Sequence, residues 1–514
     1  MQSVDPRKLL NLTVLDLSNK KARIRECVKT LQDEPKYPHQ SMRVFFMRHK
    51  QGVSREQHTL FPESLDQYVS DDNPVRVIDA FIDSLDMAEL GFTLASTKDT
   101  GRKPYHPADL LKLYTYGYLN QLRSTRRLEK ECHRNVEVLW LMKRLAPDFK
   151  TIANFRQQNS LAIRQACRAF VQFCRGANLL DSRLIAIDGS KFKAAASMSK
   201  TYNRKQLEAL QKRLNRKIDG YLNVLAKSEQ SENDDEQGSV KSALNKLKAR
   251  KEKLDVAAQV MKEADAKQCC ETEPDAKRMR SGREGIITGY NVQTAVDAES
   301  GLIVHHDVTN EGSDNRQLEP ISKAAKEELR ADELEVLADA GYSNGEQMAA
   351  CEEQGITPSL PTNRSINNQG NHYQKSDFRY DTEKDCFICP AGQILTRQTY
   401  NTKNKVHLYA RSGCASCPQQ AMCTKADKRW ISRHFYEDAL ERSQSRVEVN
   451  PALMRVRGAV VERPFAHIKQ IMGFRRFQCW GLESARSEMG LGVLVYNLNR
   501  MINELGVKRL LELI

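Results

Sequence analysis

The chain has 514 residues, 40% of them hydrophobic and 28% charged, and its 80 lysines and arginines against 66 acidic residues leave a formal charge of +14. That size and apolar content suit a globular protein of roughly three domains, and the basic balance favours an anionic partner, nucleic acid before membrane, because no apolar run of about 18 residues occurs. Residues 1–30 carry charges throughout and lack a signal-peptide core, so a cytoplasmic protein is expected, and its 13 cysteines do not imply a disulfide framework.

Residues 1–70 show little periodicity beyond a basic patch at Lys20, Lys21, Arg23 and Arg25. From Asn73 the pattern turns helical. Asn73 can cap a helix with Pro74 in its first position, and Ile78, Phe81, Ile82 and Leu85 form one apolar face. A second helix is expected from Pro107, where Leu110, Leu111, Tyr114 and Tyr118 recur at helical spacing, and the pattern continues to about Leu180. Within it Arg123, Arg127, Lys130 and Arg134 fall on one helical face with Arg126 beside them. Such a stripe could follow DNA phosphates, or be an ordinary solvated face diluted by Glu129 and Glu131.

The run Leu184–Phe192 delivers Asp188 from the end of an apolar, β-branched strand, directly before Gly189. Residues 200–265 then read as an antiparallel helical hairpin inserted between strands: Leu207, Leu210, Leu214, Ile218, Tyr221 and Leu225 follow a near-heptad seam. After the polar stretch SEQSENDDEQGS, Leu244, Leu247, Leu254 and Met261 resume it. A β-hairpin spans Asn291 to Val308, a helix follows from Asp314 to Leu329, and a second strand delivers Asp339 just before Gly341 and a helix start at Ser343 or Asn344. This order implies a mixed α/β sheet. The adjacent Cys269 and Cys270, the pair His305 and His306, and His467 read as structural.

Cys386-x2-Cys389, Cys414-x2-Cys417 and Cys423 have the paired spacing of a tetrahedral zinc site, with Pro390 and Gly392 suited to its turn. Five sulfurs exceed four ligands. The favoured set is Cys389, Cys414, Cys417 and Cys423, with Cys386 as the alternative ligand. Reduced thiols without metal and an iron–sulfur cluster remain open. Further on, Val460, Val461, Phe465 and Ile468 form an apolar helical stripe, while Glu462, Ala466 and Lys469 share another face.

Singly, Asp188 and Asp339 read as turn or helix caps and Glu462 as a solvated residue. Together they suit one site, because hard cations such as Mg²⁺ prefer carboxylate oxygens. Two such ions roughly 3.5 to 4 Å apart serve in-line phosphoryl displacement on DNA. Lys469 would then hold a phosphate.

Six stretches carry a family resemblance: DNPVRVIDAFIDSLD, GYLNQLRSTRRLEKECHRNVEVLWLMKRLAPDFKTIANFRQQN, AIDGSKFKAAAS, GYNVQTAVDAESGLIVHHDVTNEGSDNRQLEP, LADAGYSN and VERPFAHIKQIMGFRRF. Over nearly its whole length the chain resembles bacterial insertion-sequence transposases of the DDE class, which have an RNase H-like catalytic core. The resemblance implies that Asp188, Asp339 and Glu462 are the triad that binds Mg²⁺ or Mn²⁺, and that the helical amino-terminal region binds transposon ends. It also implies a zinc-ribbon-like insertion before the final catalytic helix, and a homodimer or higher assembly on DNA. One departure stands out. Of the family's Tyr-x2-Arg-x3-Glu-x6-Lys signature, Glu462 and Lys469 fit, but Gly458 takes the arginine's place, with Arg455 or Arg457 as its replacement.

The expected architecture is α/β: an RNase H-like mixed sheet with helices, preceded by an all-α domain and carrying a helical-hairpin insertion and a small cysteine-rich insertion. Its parts are 1–70, of uncertain structure; 71–180, helical and DNA-end-binding; and 181–364, the first part of the core with the insertion 200–265. The cysteine-rich insertion 365–445 and the closing helices 446–514 complete the chain. The expected function is metal-dependent cleavage and strand transfer on double-stranded DNA, at terminal inverted repeats and target, by a nucleoid-associated bacterial protein that does not bind membrane. An RNase H-like nuclease without strand transfer and an inactive DNA-binding regulator are the alternatives.

Overall fold

The computed structural model describes residues 64–95, 103–180, 183–228, 234–263, 265–282, 284–362 and 372–514. The basic patch at Lys20, Lys21, Arg23 and Arg25 lies outside the described residues, as do most of the segment 1–70 and the start of the cysteine-rich stretch. Ser64–Ile514 form one compact unit.

The Asn73 side chain accepts the Val75 N–H and Pro74 takes the first position of α1 (Pro74–Asp83), as the sequence predicts. α2 (Pro107–Leu119), α3 (Thr125–Glu131), α4 (Val136–Leu141), α5 (Phe149–Gln158) and α6 (Ser160–Gly176) come after it. Leu111, Tyr114 and Tyr118 of α2 are buried. So is Lys112, whose ammonium lies 2.6 Å from Asp79 and 2.7 Å from Asp83 on α1, the pairing that a buried cation requires.

Next come β1 (Leu184–Lys193), β2 (Thr201–Asn203), α7 (Arg204–Ser228), α8 (Asp234–Glu263), β3 (Gln268–Cys270), β4 (Lys277–Ser281), β5 (Gly285–Asp297) and β6 (Ile303–Thr309). α9 (Leu318–Leu329), β7 (Leu334–Leu337), α10 (Gly345–Glu353) and β8 (Ile356–Ser359) complete this part. The sheet runs β6–β5–β1–β7–β8, with β4 also on β5. β5 is antiparallel to β1 and β6, whereas β1, β7 and β8 are parallel. Thus one half of the sheet is a meander and the other is built through crossover helices.

The excursion from 200 to 265 is closed at its base by β2 pairing antiparallel with β3, Thr201 opposite Cys270. Leu207, Leu214 and Leu254 are buried along the α7–α8 seam, and Gln211 donates to Asp255 across it at 2.7 Å. Cys270 is buried in β3, a packing role.

In the cysteine-rich stretch, β9 (Arg379–Asp381), β10 (Cys386–Ile388), β11 (Ile394–Asn401) and β12 (Val406–Ala410) precede the short α11 (Gln420–Cys423) and β13 (Ile431–His434). The strands form an antiparallel sheet in the order β13–β12–β11–β10–β9, over a small core of Phe378, Phe387, Leu395, Tyr409 and Ile431. The chain ends in α12 (Glu437–Val449), α13 (Ala452–Ala466), α14 (Leu482–Leu505) and α15 (Val507–Leu513), with a π-helical turn at His467–Ile471 directly after α13. α14 is buried along most of its length, and Met489, Leu494 and Tyr496 share one core with Tyr114, Phe170, Phe192 and Phe474. The amino-terminal helices, the sheet and the last helices therefore pack on one another without a solvent layer between them.

Candidate active site

Two neighbouring parallel strands create the site. β1 pairs with β7 only from Leu184 to Ala186, opposite Glu335 to Leu337, and beyond Leu337 the β7 partner is gone. Asp188 and Asp339 each lie two residues past those last paired positions, where the parallel pairing of β1 with β7 ends and open α/β sheets leave a crevice. β1 itself does not stop at Asp188, as its short apolar run suggested. It continues to Lys193 because the long β5 keeps pairing with it, Asp188 opposite Thr294. Nor does Gly189 make a turn. A Cβ there would meet Asp314 Oδ1 at 2.6 Å and Tyr342 Oη at 3.1 Å, as well as the Gln293 amide, so glycine is required by close packing.

The Asp339 carboxylate is 48% exposed and also caps the turn Ala340–Tyr342, accepting the Gly341 N–H at 2.8 Å. The helix after it starts at Gly345, with Asn344 as its cap. Asp188 is less exposed, and burial pushes its carboxyl up to about 6. The nearby charges of Asp339 and Asp314 add to the rise, and the Arg457 guanidinium and the Gly189 N–H oppose it.

Arg457 joins the two aspartates: its Nη2 lies 2.9 Å from Asp188 Oδ1 and 3.6 Å from Asp339 Oδ2. It comes from α13, which packs on the sheet through Val461 against Ala186 and Leu337. Glu462 is the residue after Val461 and is exposed. Among the described residues no hydrogen bond or ion pair ties it to either aspartate. Lys469 reaches β1 from the π-helical turn, its Nζ donating to Ser190 Oγ at 2.7 Å and Lys191 O at 2.9 Å, and lying over the Phe192 ring. The helical face expected for Glu462, Ala466 and Lys469 is thus broken between the second and third.

A hydrogen-bonded group that sequence reasoning missed lies behind Asp188. Asp314 accepts from Asn291 Nδ2 at 2.7 Å, Gln293 Nε2 at 2.6 Å and Lys191 Nζ at 3.0 Å, and Tyr342 Oη donates to Gln293. Burial, reinforced by the charges of Asp314, Asp188 and Asp339, holds the Tyr342 phenol well above its ordinary range, so it remains a donor at neutral pH. The available signal was polar: Asn291 and Gln293 are buried amides on one face of β5, in a strand that also buries Thr288, Thr294 and Asp297.

The basic stripe divides. α3 is only seven residues long, so Arg123 and Arg134 lie outside it. Arg123 faces inward, 11% exposed, with its guanidinium 4.3 Å from the Phe474 ring, donating to Arg476 O at 2.9 Å and 3.7 Å from the buried Glu488. Arg126, Arg127, Lys130 and Arg134 are all exposed. Of these, Arg126 stacks on Phe149 and Arg134 pairs with Glu131. The five cysteines divide as well: Cys389, Cys414, Cys417 and Cys423 line one cleft, whereas Cys386 is buried in β10 and does not line it. Burial raises the Cys423 thiol, opposed by Arg429 and reinforced by the other three sulfurs. Among the described residues, no three metal-ligating side chains already stand in a metal-binding cluster, at the aspartates or in this cleft.

The fold and site thus define a mixed α/β protein with an acidic, arginine-bridged crevice between parallel strand ends. Residues 63–158 match the family described as Transposase domain (DUF772), and residues 388–502 match that described as Transposase DDE domain. These matches bear out the resemblance to insertion-sequence transposases of the DDE class, and both descriptions point to DNA transposition. The second match includes Arg457, Glu462, Lys469 and the cysteine cleft, and Asp188 and Asp339 fall outside both. Among solved structures, the chain has a remote likeness to one titled as a cryo-EM structure of piggyBac transposase synaptic complex with hairpin DNA, at 10% identity and a TM-score of 0.32, covering 84% of this chain and 75% of that one. No curated protein matches the chain. Among the described residues no helix is long and apolar enough to cross a membrane.

Proposed function

We propose that the chain is a DDE transposase that binds the terminal inverted repeats of an insertion sequence, cleaves there and joins the freed 3′-hydroxyl to target DNA. The observation that carries this reading is the placement of Asp188 and Asp339 just past the point where the parallel pairing of β1 and β7 ends, with α13 packed across both strands. The strand order, with β1 between an antiparallel meander and two parallel strands, supports an RNase H-like core. The inserted excursion 200–265, the cysteine-rich 365–445 and the closing 446–514 belong to the same reading, as does 71–180 as the DNA-end-binding part.

Asp188 and Asp339 are hard oxygen donors suited to Mg²⁺ or Mn²⁺, and Glu462, one residue past the Val461 anchor, would complete the set. Bound there, divalent cations supply Lewis acidity to the attacking and departing oxygens of an in-line displacement. The chain's own residues orient the DNA. Lys469, fixed at Ser190, sets a positive charge near the strand end. Arg126, Arg127, Lys130 and Arg134 offer cations to phosphates, while Arg123 acts from within the fold. The four cleft cysteines are a soft donor set that fits structural Zn²⁺. A dimer or higher assembly on DNA, in the cytoplasm at the nucleoid, completes the proposal.

The test is a plasmid carrying matched terminal repeats, incubated with the full chain and Mg²⁺. Joined products that disappear with Asp188→Asn support a transposase. Cleaved but unjoined ends would indicate a nuclease, and binding without cleavage an inactive regulator.

A further inference from the structure

Arg457 stands where the proposed metal site needs a cation. Its side chain is 18% exposed, a single nitrogen, Nη2, serves both aspartates, and its Nε is buried without an acceptor among the described residues. A guanidinium has five N–H donors in a planar fork that matches carboxylate or phosphate in bidentate fashion. Here that fork is poorly used. Lys191 and Lys469, which also lie near the two strands, are held elsewhere, Lys191 by Asp314 and Lys469 by Ser190 and the Lys191 carbonyl. The next residue, Gly458, faces open space about 100° around the helix: a Cβ built there would meet nothing within 4 Å.

We propose that Arg457 is a placeholder cation, which holds Asp188 and Asp339 together before a divalent ion enters and then swings off them to engage a DNA phosphate. The proposal rests on the reading of Asp188 and Asp339 as metal ligands. Two carboxylates and one guanidinium carry a net charge of −1. A divalent ion brought between the carboxylates would face a like charge a few ångströms away in a half-buried crevice, and the arrangement relaxes when the guanidinium leaves. Its fork is then free for phosphate, where bidentate donation is strongest.

The experiment measures Mn²⁺ binding to the full chain without DNA, from the electron paramagnetic resonance signal of free Mn²⁺. Arg457→Gln removes the competitor and is expected to tighten binding by about tenfold. Arg457→Lys, which keeps the charge but not the fork, should fall between it and the wild type, and it carries the test if the glutamine variant does not fold. With repeat DNA and Ca²⁺ present, the slope of log affinity against log salt should shrink by about 0.9 in Arg457→Gln, the loss of one phosphate contact. Unchanged or weaker Mn²⁺ binding in Arg457→Gln, while Asp188→Asn binds less, would overturn the placeholder role alone. Wild-type Mn²⁺ binding in Asp188→Asn would instead remove the metal-site reading beneath it.

Discussion

Arg123→Ala separates a residue that holds the fold from one that holds DNA. The guanidinium packs on the buried Phe474, donates to Arg476 O at 2.9 Å and lies 3.7 Å from Glu488, a fully buried carboxylate. Glu488 also accepts the Gln478 and Cys479 N–H groups, so it orders the chain that leads into α14. A desolvated cation–π contact contributes up to about 2 kcal/mol, and the carbonyl hydrogen bond to a charged donor about 1.5 kcal/mol. Removing Arg123 also leaves Glu488 with one fewer countercharge, so a loss of about 3 to 4 kcal/mol is expected. Urea unfolding of the full chain reads this loss, and a salt titration of repeat-DNA binding at a temperature where the variant is folded should keep the wild-type slope. Arg127→Ala gives the reverse pattern: stability within about 0.5 kcal/mol of wild type and a slope smaller by about 0.9. A variant at Arg123 that loses under about 1 kcal/mol yet shows the reduced slope would refute the inward-facing role.

Three further outcomes are expected from the site and its surroundings. Gly189→Ala should destabilise the protein by about 1 to 3 kcal/mol in the same urea measurement, because the added methyl forces apart the bonded Gln293 and Asp314. Divalent binding should strengthen as pH rises through about 6, since Asp188 must lose its proton to ligate, and calorimetry in two buffers should detect that proton release below but not above this range. His306 is pushed down to about 3, mainly by burial. Between its ordinary value near 6.5 and about 3 the unfolded chain therefore takes a proton that the folded chain refuses, and stability falls by up to about 1.4 kcal/mol per pH unit as pH drops. His306→Phe should flatten that part of the stability–pH curve.

The two aspartates were legible because each follows a short, mainly apolar run, a signal that depends only on local order. β1's true length was not, since residues 189–193 are held as a strand by β5, about a hundred positions away. The arginine stripe misled for a similar reason. Helical spacing assumes one continuous helix, whereas α3 begins at Thr125 and Arg123 turns inward to meet an aromatic ring from the far end of the chain. Cysteine spacing narrowed five thiols to a preferred four, and the same four line the cleft while Cys386 packs inside its strand. Asp314 escaped notice because an acid at an expected helix start reads as an ordinary cap; the helix instead begins at Leu318, and Asn291, Gln293 and Lys191 converge on Asp314.

The π-helical turn at His467–Ile471 sets a limit on length changes in the chain. On one side Val461 is fixed on the sheet, and on the other Phe474 is buried beneath Arg123 while the Lys193 N–H donates to Arg475 O. Deleting one residue from the turn would restore regular helix, rotate the downstream chain by about 100° and shorten the path by about 1.5 Å, carrying Lys469 away from Ser190. Among the described residues, the excursion carrying α7 and α8 is closed at its base by the β2–β3 pairing, and its helices pack on each other. Insertions and deletions should therefore be rejected between Val461 and Phe474, so that the count of residues there matters as much as their identity.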